Sequence, residues 1–284
     1  MPYGSIISVM ETKTETGIDT GTLTCAAKDG RKIVDGVRIE VPSGQAYGLL
    51  GRDSRAKRLI MRLAASNLKN ARLIDDESMI CGLPLPSGKA YVFDTDRLFS
   101  FMTCKEYLLY GGGGLKTDRQ ELMCRIDGLL ELVSLNRRAN RKISALSGAE
   151  YLCLCAAFSL LADAQEVLIN ADTLPYGKES RETLNRLISN LKKQGKAVLV
   201  NLSDPRMCGE AFDTVGIMSS GAIVLQGKPQ QLAGGDPKTY FINGKGSIAE
   251  LRAKFDEISR RYDVNIRGVR KPTLASVYRK AVKN

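Results

Sequence analysis

Residues 46–63 place an apolar run, a glycine and a helical stripe next to one another, and this order restricts the fold more than any other segment does. The run Ala46 to Leu50 ends at Gly51, and Lys57 follows six residues later. Behind the lysine come apolar residues at helical spacing, namely Leu59, Ile60 and Leu63. A strand, a tight turn and a helix that begins near a lysine are typical of a phosphate-binding loop in an α/β sheet.

The full phosphate-binding pattern, G-x-x-x-x-G-K-[ST], is only partly present. Gly51 and Lys57 match it, whereas Ala56 stands at the second glycine and Arg58 at the Ser/Thr position. The missing glycine limits how closely backbone N–H groups wrap a phosphate. The missing hydroxyl removes a magnesium ligand. Taken alone, the segment is better explained as an ordinary strand-to-helix turn, and its weight comes from the segments that follow it.

The composition is that of an ordinary soluble protein with one large domain, or one domain with a smaller appendage. The 284 residues are 43% hydrophobic and 26% charged, and no apolar run reaches the length of a membrane span. The first residues lack the basic and apolar regions of a signal peptide. Seven scattered cysteines predict reduced, buried thiols in a cytosolic protein. The absence of histidine excludes it as a general base or a metal ligand.

The net charge is +11, with a pI near 9.3. Such a charge fits a nucleic-acid partner or an anionic membrane face. The sequence shows no dense Lys/Arg run with interleaved aromatic residues, so scattered surface cations explain the charge at least as well.

Short apolar runs alternate with helical stripes along the chain, which predicts a mostly parallel α/β sheet. The predicted strands are 23–27, 37–41, 46–50, 91–93, 167–169, 198–200, 215–218 and 222–225. The predicted helices start at Arg55, at a capping box of Thr117 with Gln120, within the wholly apolar stretch 151–162, and around the stripe Leu184 to Leu191. We divide the chain into a polar arm (1–20), a main domain (21–234) and a small βαβα appendage (235–284).

Taken in order, the segments resemble the nucleotide-binding subunit of an ABC transporter, from about Gly21 to the last residue. LSGAE at 146–150 is similar to the LSGGQ signature, and EVLINADT at 166–173 to the Walker B strand. Residues 91–110 resemble the Q-loop region, 195–205 the strand that carries the switch histidine, and 215–229 the hairpin after it. The segment 271–284 resembles the last helix of exporters with ABC-2-type permeases. The resemblance implies a P-loop NTPase-like nucleotide-binding domain.

Four family positions that support hydrolysis carry other residues here. Asn170 stands for the magnesium-binding aspartate, Ala171 for the catalytic glutamate, Ser203 for the switch histidine and Asp94 for the Q-loop glutamine. Phosphoryl transfer needs a metal, a positioned water and charge neutralisation together. The resemblance therefore implies a pseudo-ATPase without catalytic residues or a metal site. Any bound ATP would lack its normal magnesium coordination.

Two explanations of the loop remnant stay open. Four cations crowd the start of the helix, namely Arg52, Arg55, Lys57 and Arg58. A helix N-terminus favours negative charge, so a bound anion would stabilise this cluster, although Asp53 offsets one cation. The alternative is an empty loop whose arginines point into water, and it is slightly favoured.

The signature segment also has two explanations. In the family, this motif contacts the nucleotide of the opposite subunit, and Ser147 and Gly148 keep that pattern, whereas Ala149 and Glu150 depart from it. Glu150 places a negative charge beside the site. Equally well, Ser147 is a simple N-cap of its helix.

The predicted function is a hydrolysis-deficient subunit of an export-type ABC transporter, peripheral on the inner face of the cell membrane. Its partners would be an ABC-2-type permease and a second ATPase subunit, as a heterodimer or a homodimer. The alternatives are a slow ATPase with non-standard residues and a regulatory scaffold without a transport role. Nucleic-acid binding rests on charge alone and is the least favoured.

Overall fold

The protein is described by a computed structural model that covers residues 17–26, 32–65, 89–93, 99–115, 117–234 and 273–282. Within these ranges the strands are Ile18–Asp19 (β1), Leu23–Ala26 (β2), Lys32–Val37 (β3), Glu40–Val41 (β4), Ala46–Gly51 (β5), Lys89–Phe93 (β6), Glu166–Asn170 (β7), Ala197–Leu202 (β8), Thr214–Ser219 (β9) and Ala222–Gly227 (β10). The α-helices are Ser54–Ala65 (α1), Cys104–Gly112 (α2), Arg119–Leu132 (α3), Gly148–Ser159 (α4), Lys178–Lys193 (α5), Pro229–Gly234 (α6) and Leu274–Ala281 (α7).

Six strands form the central sheet in the order β10-β9-β5-β8-β7-β6. All neighbours pair in parallel except β9 and β10, which form an antiparallel hairpin. Every residue of β5 and β8 is buried, as expected for central strands covered on both faces. The predicted mostly parallel α/β sheet and the hairpin are confirmed.

The sheet separates two apolar cores. On one face, Leu49 and Leu199 pack with α1 and with β1, β3 and β4. On the other face, Leu50 and Val200 pack with α2 to α5 and α7. Adjacent residues of a strand point to opposite faces, so the continuous apolar runs of β5 and β8 serve both cores at once.

Helix α4 lies deep in the second core, and ten of its twelve residues are buried. This confirms the buried helix that the apolar stretch 151–162 predicts. The helix ends at Ser159, and the last apolar residues form a 3₁₀ turn, Leu160–Ala162.

Several details predicted from the sequence were wrong. Helix α3 is capped by Asp118, whose carboxylate accepts the amide of Gln120 at 2.9 Å, and not by a capping box of Thr117. Helix α1 begins at Ser54, one residue earlier than predicted. The predicted strand 37–41 is interrupted, because β3 ends at Val37 and β4 begins at Glu40. Cys124 is exposed, although buried thiols were predicted throughout.

The last described helix packs against the main body. Leu274 and Tyr278 of α7 are buried in the second core, and the helix contacts α6, β9 and the turn Pro205–Met207. The rest of the predicted appendage, residues 235–272 and 283–284, lies outside the described residues. Among the helices that the structure describes, none is long and apolar enough to cross a bilayer.

Candidate functional site

The carboxyl ends of β5, β7 and β8 lie side by side at one edge of the sheet, because the three strands are parallel neighbours. This edge gathers the loop after Gly51 and the residues that follow Asn170 and Leu202. Most of the residues predicted from the motifs therefore lie in one region. Asp94 lies outside the described residues.

The connection from β5 to α1 is short, and the start of the helix is capped by its own chain. Gly51 ends the strand, and a Cβ there would approach the carbonyl oxygen of Met218 to 3.0 Å, so glycine allows β5 and β9 to pair closely. Asp53 accepts the amide of Ala56 at 2.9 Å. The amide of Ala56, at the N-terminus of α1, would otherwise be available to an anion, and the carboxylate of Asp53 binds it instead.

Lys57 points inward from α1 and is completely buried, with 0% of its surface exposed. Its Nζ lies 2.5 Å from Asp172 Oδ1 and donates to the carbonyl oxygen of Leu202 at 2.8 Å. Burial lowers the pKa of Lys57, although the hydrogen bond to Asp172 opposes the shift. The ammonium group is therefore engaged by the chain itself.

Asp172 connects three elements of this edge. Its carboxylate accepts from Lys57 on α1 and from the hydroxyl of Ser203, which follows β8. The Ser203 hydroxyl also lies 3.0 Å from the carbonyl oxygen of Asp172. Burial raises the pKa of Asp172, but the hydrogen bonds from Lys57, Ser203 and Ser54 outweigh it and hold that pKa below its usual value. Asp172 is consequently an ionised partner for Lys57.

The parallel register of β7 and β8 brings two amides together beneath this pair. Asn201 lies opposite Asn170, and its Nδ2 donates to Asn170 Oδ1 at 2.7 Å. Both side chains are buried. Ala171 follows, also buried, and its amide donates to the carbonyl oxygen of Asn201 at 3.0 Å. The described part of the chain contains no group of three or more acidic, cysteine or histidine residues that would hold a metal ion.

The three arginines of the loop remain at the surface. Arg52, Arg55 and Arg58 are all exposed, and Arg58 Nε donates to the carbonyl oxygen of Ser54 at 3.3 Å. The predicted cluster of four cations is thus divided, since Lys57 turns inward and the arginines stay outside. Whether the three arginines hold an anion stays a prediction.

Ser147 caps helix α4 through a reciprocal capping box. Its hydroxyl accepts the amide of Glu150 at 3.2 Å, and Glu150 Oε2 accepts the amide of Ser147 at 2.9 Å. Arg138 adds an ion pair to Glu150 at 3.0 Å. The N-cap role of Ser147 is therefore present, and Gly148 follows as the first helical residue. A contact of Ser147 and Gly148 with another subunit stays a prediction.

Comparisons with known proteins find relatives among the ATP-binding proteins of transporters. No protein-family profile matches it. It is 26% identical over 222 residues to the Nod factor export ATP-binding protein I of Rhizobium meliloti, covering 76% of this chain and 65% of that protein. It is 27% identical over 231 residues to the Fe(3+) ions import ATP-binding protein FbpC of Escherichia coli K12, covering 79% of this chain and 66% of that protein. The chain thus spans about two thirds of these relatives.

The chain is a homologue of ABC transporter ATP-binding subunits. Its fold is that of the ATP-binding cassette, as solved structures show. CbiO1 from Clostridium perfringens, part of the ABC transporter complex CbiONQ, superposes with a TM-score of 0.63 at 16% identity, over 88% of this chain and 97% of that one. An ATP-binding cassette of an ABC transporter, solved in its ADP conformation, superposes with a TM-score of 0.56 at 15% identity, over 74% of this chain and 90% of that one. The predicted cassette fold is confirmed.

The family motifs do not point to Asp172, the residue that binds both Lys57 and Ser203. Asp172 stands one position after the site of the catalytic glutamate, so the motif directs attention to Ala171 instead. Asn201, the partner of Asn170, was missed as well. Their places in the sequence could have revealed both residues, because each lies at or just after the carboxyl end of a predicted strand. Polar residues at the carboxyl ends of neighbouring parallel strands meet at one edge of the sheet.

Proposed function

We propose that this chain is a hydrolysis-deficient ATP-binding-cassette subunit of an export-type ABC transporter. The observation that carries the proposal is the buried ion pair of Lys57 with Asp172. The lysine of a phosphate-binding loop acts by contacting phosphate oxygens. Here a carboxylate of the same chain holds that ammonium group, and Asp53 caps the helix start beside it.

The other family positions support the same proposal. Asn170 is a neutral amide bonded to Asn201, so it offers no negative charge to a magnesium ion. Ala171 has no group that accepts a proton from water. The next residue, Asp172, carries a carboxylate, but its lowered pKa and its bond to Lys57 make it a poor general base. These features disfavour the alternative of a slow ATPase.

The experiment is a magnesium-dependent ATPase assay on the purified chain, with an active ABC subunit as positive control. We expect phosphate release no higher than a blank without protein. We also expect millimolar ATP, phosphate or sulfate to leave the melting temperature unchanged, since a ligand raises it only by binding the native state. Turnover within a few-fold of the positive control would reject the proposal.

We further propose that the chain pairs with an active ATPase subunit and an ABC-2-type permease. Like charges support a heterodimer. In a symmetric pair of the kind that the resemblance implies, Arg52, Arg55 and Arg58 would face the region of Arg138 and Lys142. A partner subunit with bound nucleotide would bring phosphate charge to that region instead. The transport names of the relatives favour this function over a regulatory scaffold.

Reconstitution with such a partner tests the pairing. Ser147→Arg should stop the partner's ATP hydrolysis while the two subunits still co-purify, because the arginine would fill the start of α4. Gln194→Arg is the control, since it adds the same side chain at an exposed position just before the start of β8, at the opposite end of the sheet, and it should have no effect. Unchanged hydrolysis with Ser147→Arg, or self-association only, would contradict the asymmetric pair.

A further inference from the structure

Hydrogen-bond donors from two separate elements converge on the carboxylate of Asp172. Lys57 Nζ and the hydroxyl of Ser203 both contact Oδ1, and the hydroxyl of Ser54 adds a further hydrogen bond. Ser54 and Lys57 lie at the start of α1, whereas Ser203 follows β8. An ammonium group and two hydroxyls bind a phosphate oxygen by the same hydrogen bonds as a carboxylate oxygen. We name Ser54, Lys57 and Ser203 the oxyanion site.

The loop after β7 fixes Asp172 in this position. On one side, the amide of Ala171 donates to the carbonyl oxygen of Asn201 at 3.0 Å. On the other side, the amide of Leu174 donates to the carbonyl oxygen of Ala171 at 3.2 Å, and Leu174 is buried in the second core. A group tethered in this way meets its site at an effective concentration in the millimolar range or above. Free phosphate at a similar concentration therefore competes poorly with the carboxylate.

Asp172 is the more accessible partner of its ion pair with Lys57. The side chain of Lys57 is completely buried, whereas the side chain of Asp172 is 9% exposed. A shorter side chain at position 172 would thus open the ammonium group to solvent from that direction. It would also leave that group without its counterion, which is costly in the interior unless another anion takes the place.

We propose that Asp172 is an internal occupant of the oxyanion site and that it blocks the binding of inorganic phosphate there. The inference rests on the proposed function, because it names what keeps the site closed. It also goes further, since it states that the donors are still able to hold an anion. Removing the carboxylate while Lys57 stays in place should therefore create a phosphate site that the unchanged chain does not offer.

Thermal unfolding of the purified full chain in potassium phosphate, against potassium chloride of equal ionic strength, tests the proposal. In Asp172→Ala, phosphate at about 10 mM should raise the melting temperature by about 2–4 °C for a dissociation constant of about 1 mM. The unchanged chain should show no shift. Lys57→Met/Asp172→Ala should show none either, because it lacks the ammonium group. Asp127→Ala is the matched control, since it frees Lys105 from an ion pair at the surface, and it should not respond.

Asp172→Ser is a second variant, with a short polar side chain in place of the carboxylate, and it should show the same rise. Where a variant is unfolded in chloride, cooperative melting that appears only in phosphate is the same result. No rise in either variant, or an equal rise in the double variant or in Asp127→Ala, would overturn the proposal. The proposed function fails by a different result, namely magnesium-dependent ATP hydrolysis by the unchanged chain, so the two failures can be told apart.

Discussion

Lys57 and Asp172 are 115 residues apart in the chain, yet their charged groups meet at 2.5 Å in the interior of the protein. Asp172 therefore supplies, from within the fold, the negative charge that a phosphate ligand would bring to such a lysine. Burial makes the pair dependent on both partners, because an isolated charge in the interior has neither water nor a counterion.

Removing one partner of this pair should be costly. We expect Asp172→Ala to lower the free energy of unfolding by about 3–5 kcal/mol, because it leaves a buried ammonium group unpaired. Asp127→Ala is the control, since it breaks the surface pair with Lys105, and it should cost no more than about 1 kcal/mol. Urea denaturation measures both. The double variant Lys57→Met/Asp172→Leu should recover most of the loss, and equal costs for the two single variants would contradict the buried ion pair.

Acid should weaken the native protein through Asp172. Its pKa in the folded state lies below the unfolded value, which is about 3.9 for aspartate. The pair therefore contributes stability above that unfolded pKa, and the contribution is lost as the pH falls through the folded pKa. We expect the free energy of unfolding of Asp172→Asn to fall less steeply below about pH 4 than that of the unchanged chain. Parallel profiles would show that Asp172 does not titrate in this way.

The cap of α1 should behave as an ordinary N-cap. Asp53→Ala removes the acceptor for the amide of Ala56, and we expect a loss of about 1 kcal/mol in the free energy of unfolding. Asp53→Ser keeps an acceptor at the same position and should retain most of the stability. Chemical denaturation of the two variants separates the cap from any general effect of charge, and an equal loss for both would argue against the cap.

Two helical glycines should respond to alanine in opposite directions. A Cβ at Gly111 would lie 2.1 Å from the ring of Phe158, and that ring stacks on Tyr107 with 4.7 Å between centroids. We expect Gly111→Ala to destabilise the protein by about 1–3 kcal/mol through overpacking. Gly128 in α3 has no neighbour within 4 Å of such a Cβ, so Gly128→Ala should stabilise by about 0.5–1 kcal/mol. Melting temperatures of the two variants test the difference, and a shift of the same sign would contradict it.

The sheet could be predicted from the sequence because its central strands leave a plain signal. Ala46–Gly51 and Ala197–Leu202 are buried on both faces, so they appear as short continuous apolar runs. The starts of the helices were less predictable. Asp118 and Thr117 are both good caps, and only the geometry of the chain decides that Asp118 contacts Gln120.

The location of the site could be predicted from the sequence, but the contacts between its side chains could not. The motifs locate Lys57, Asn170 and Ser203 at one edge of the sheet. They do not reveal that Asp172 holds Lys57, because the pairing depends on strand order and not on local sequence.

Helix α7 has a consequence for how the protein is made. Leu274 and Tyr278 fill part of the core shared by α2 to α5, and α7 is the last described element in chain order. During synthesis that core therefore lacks Leu274 and Tyr278 until the ribosome has released α7. Contacts between such distant segments also slow folding, because the loop between them must close first. A fusion partner or tag placed after α7 should be joined through a flexible linker, so that α7 can still pack against the core.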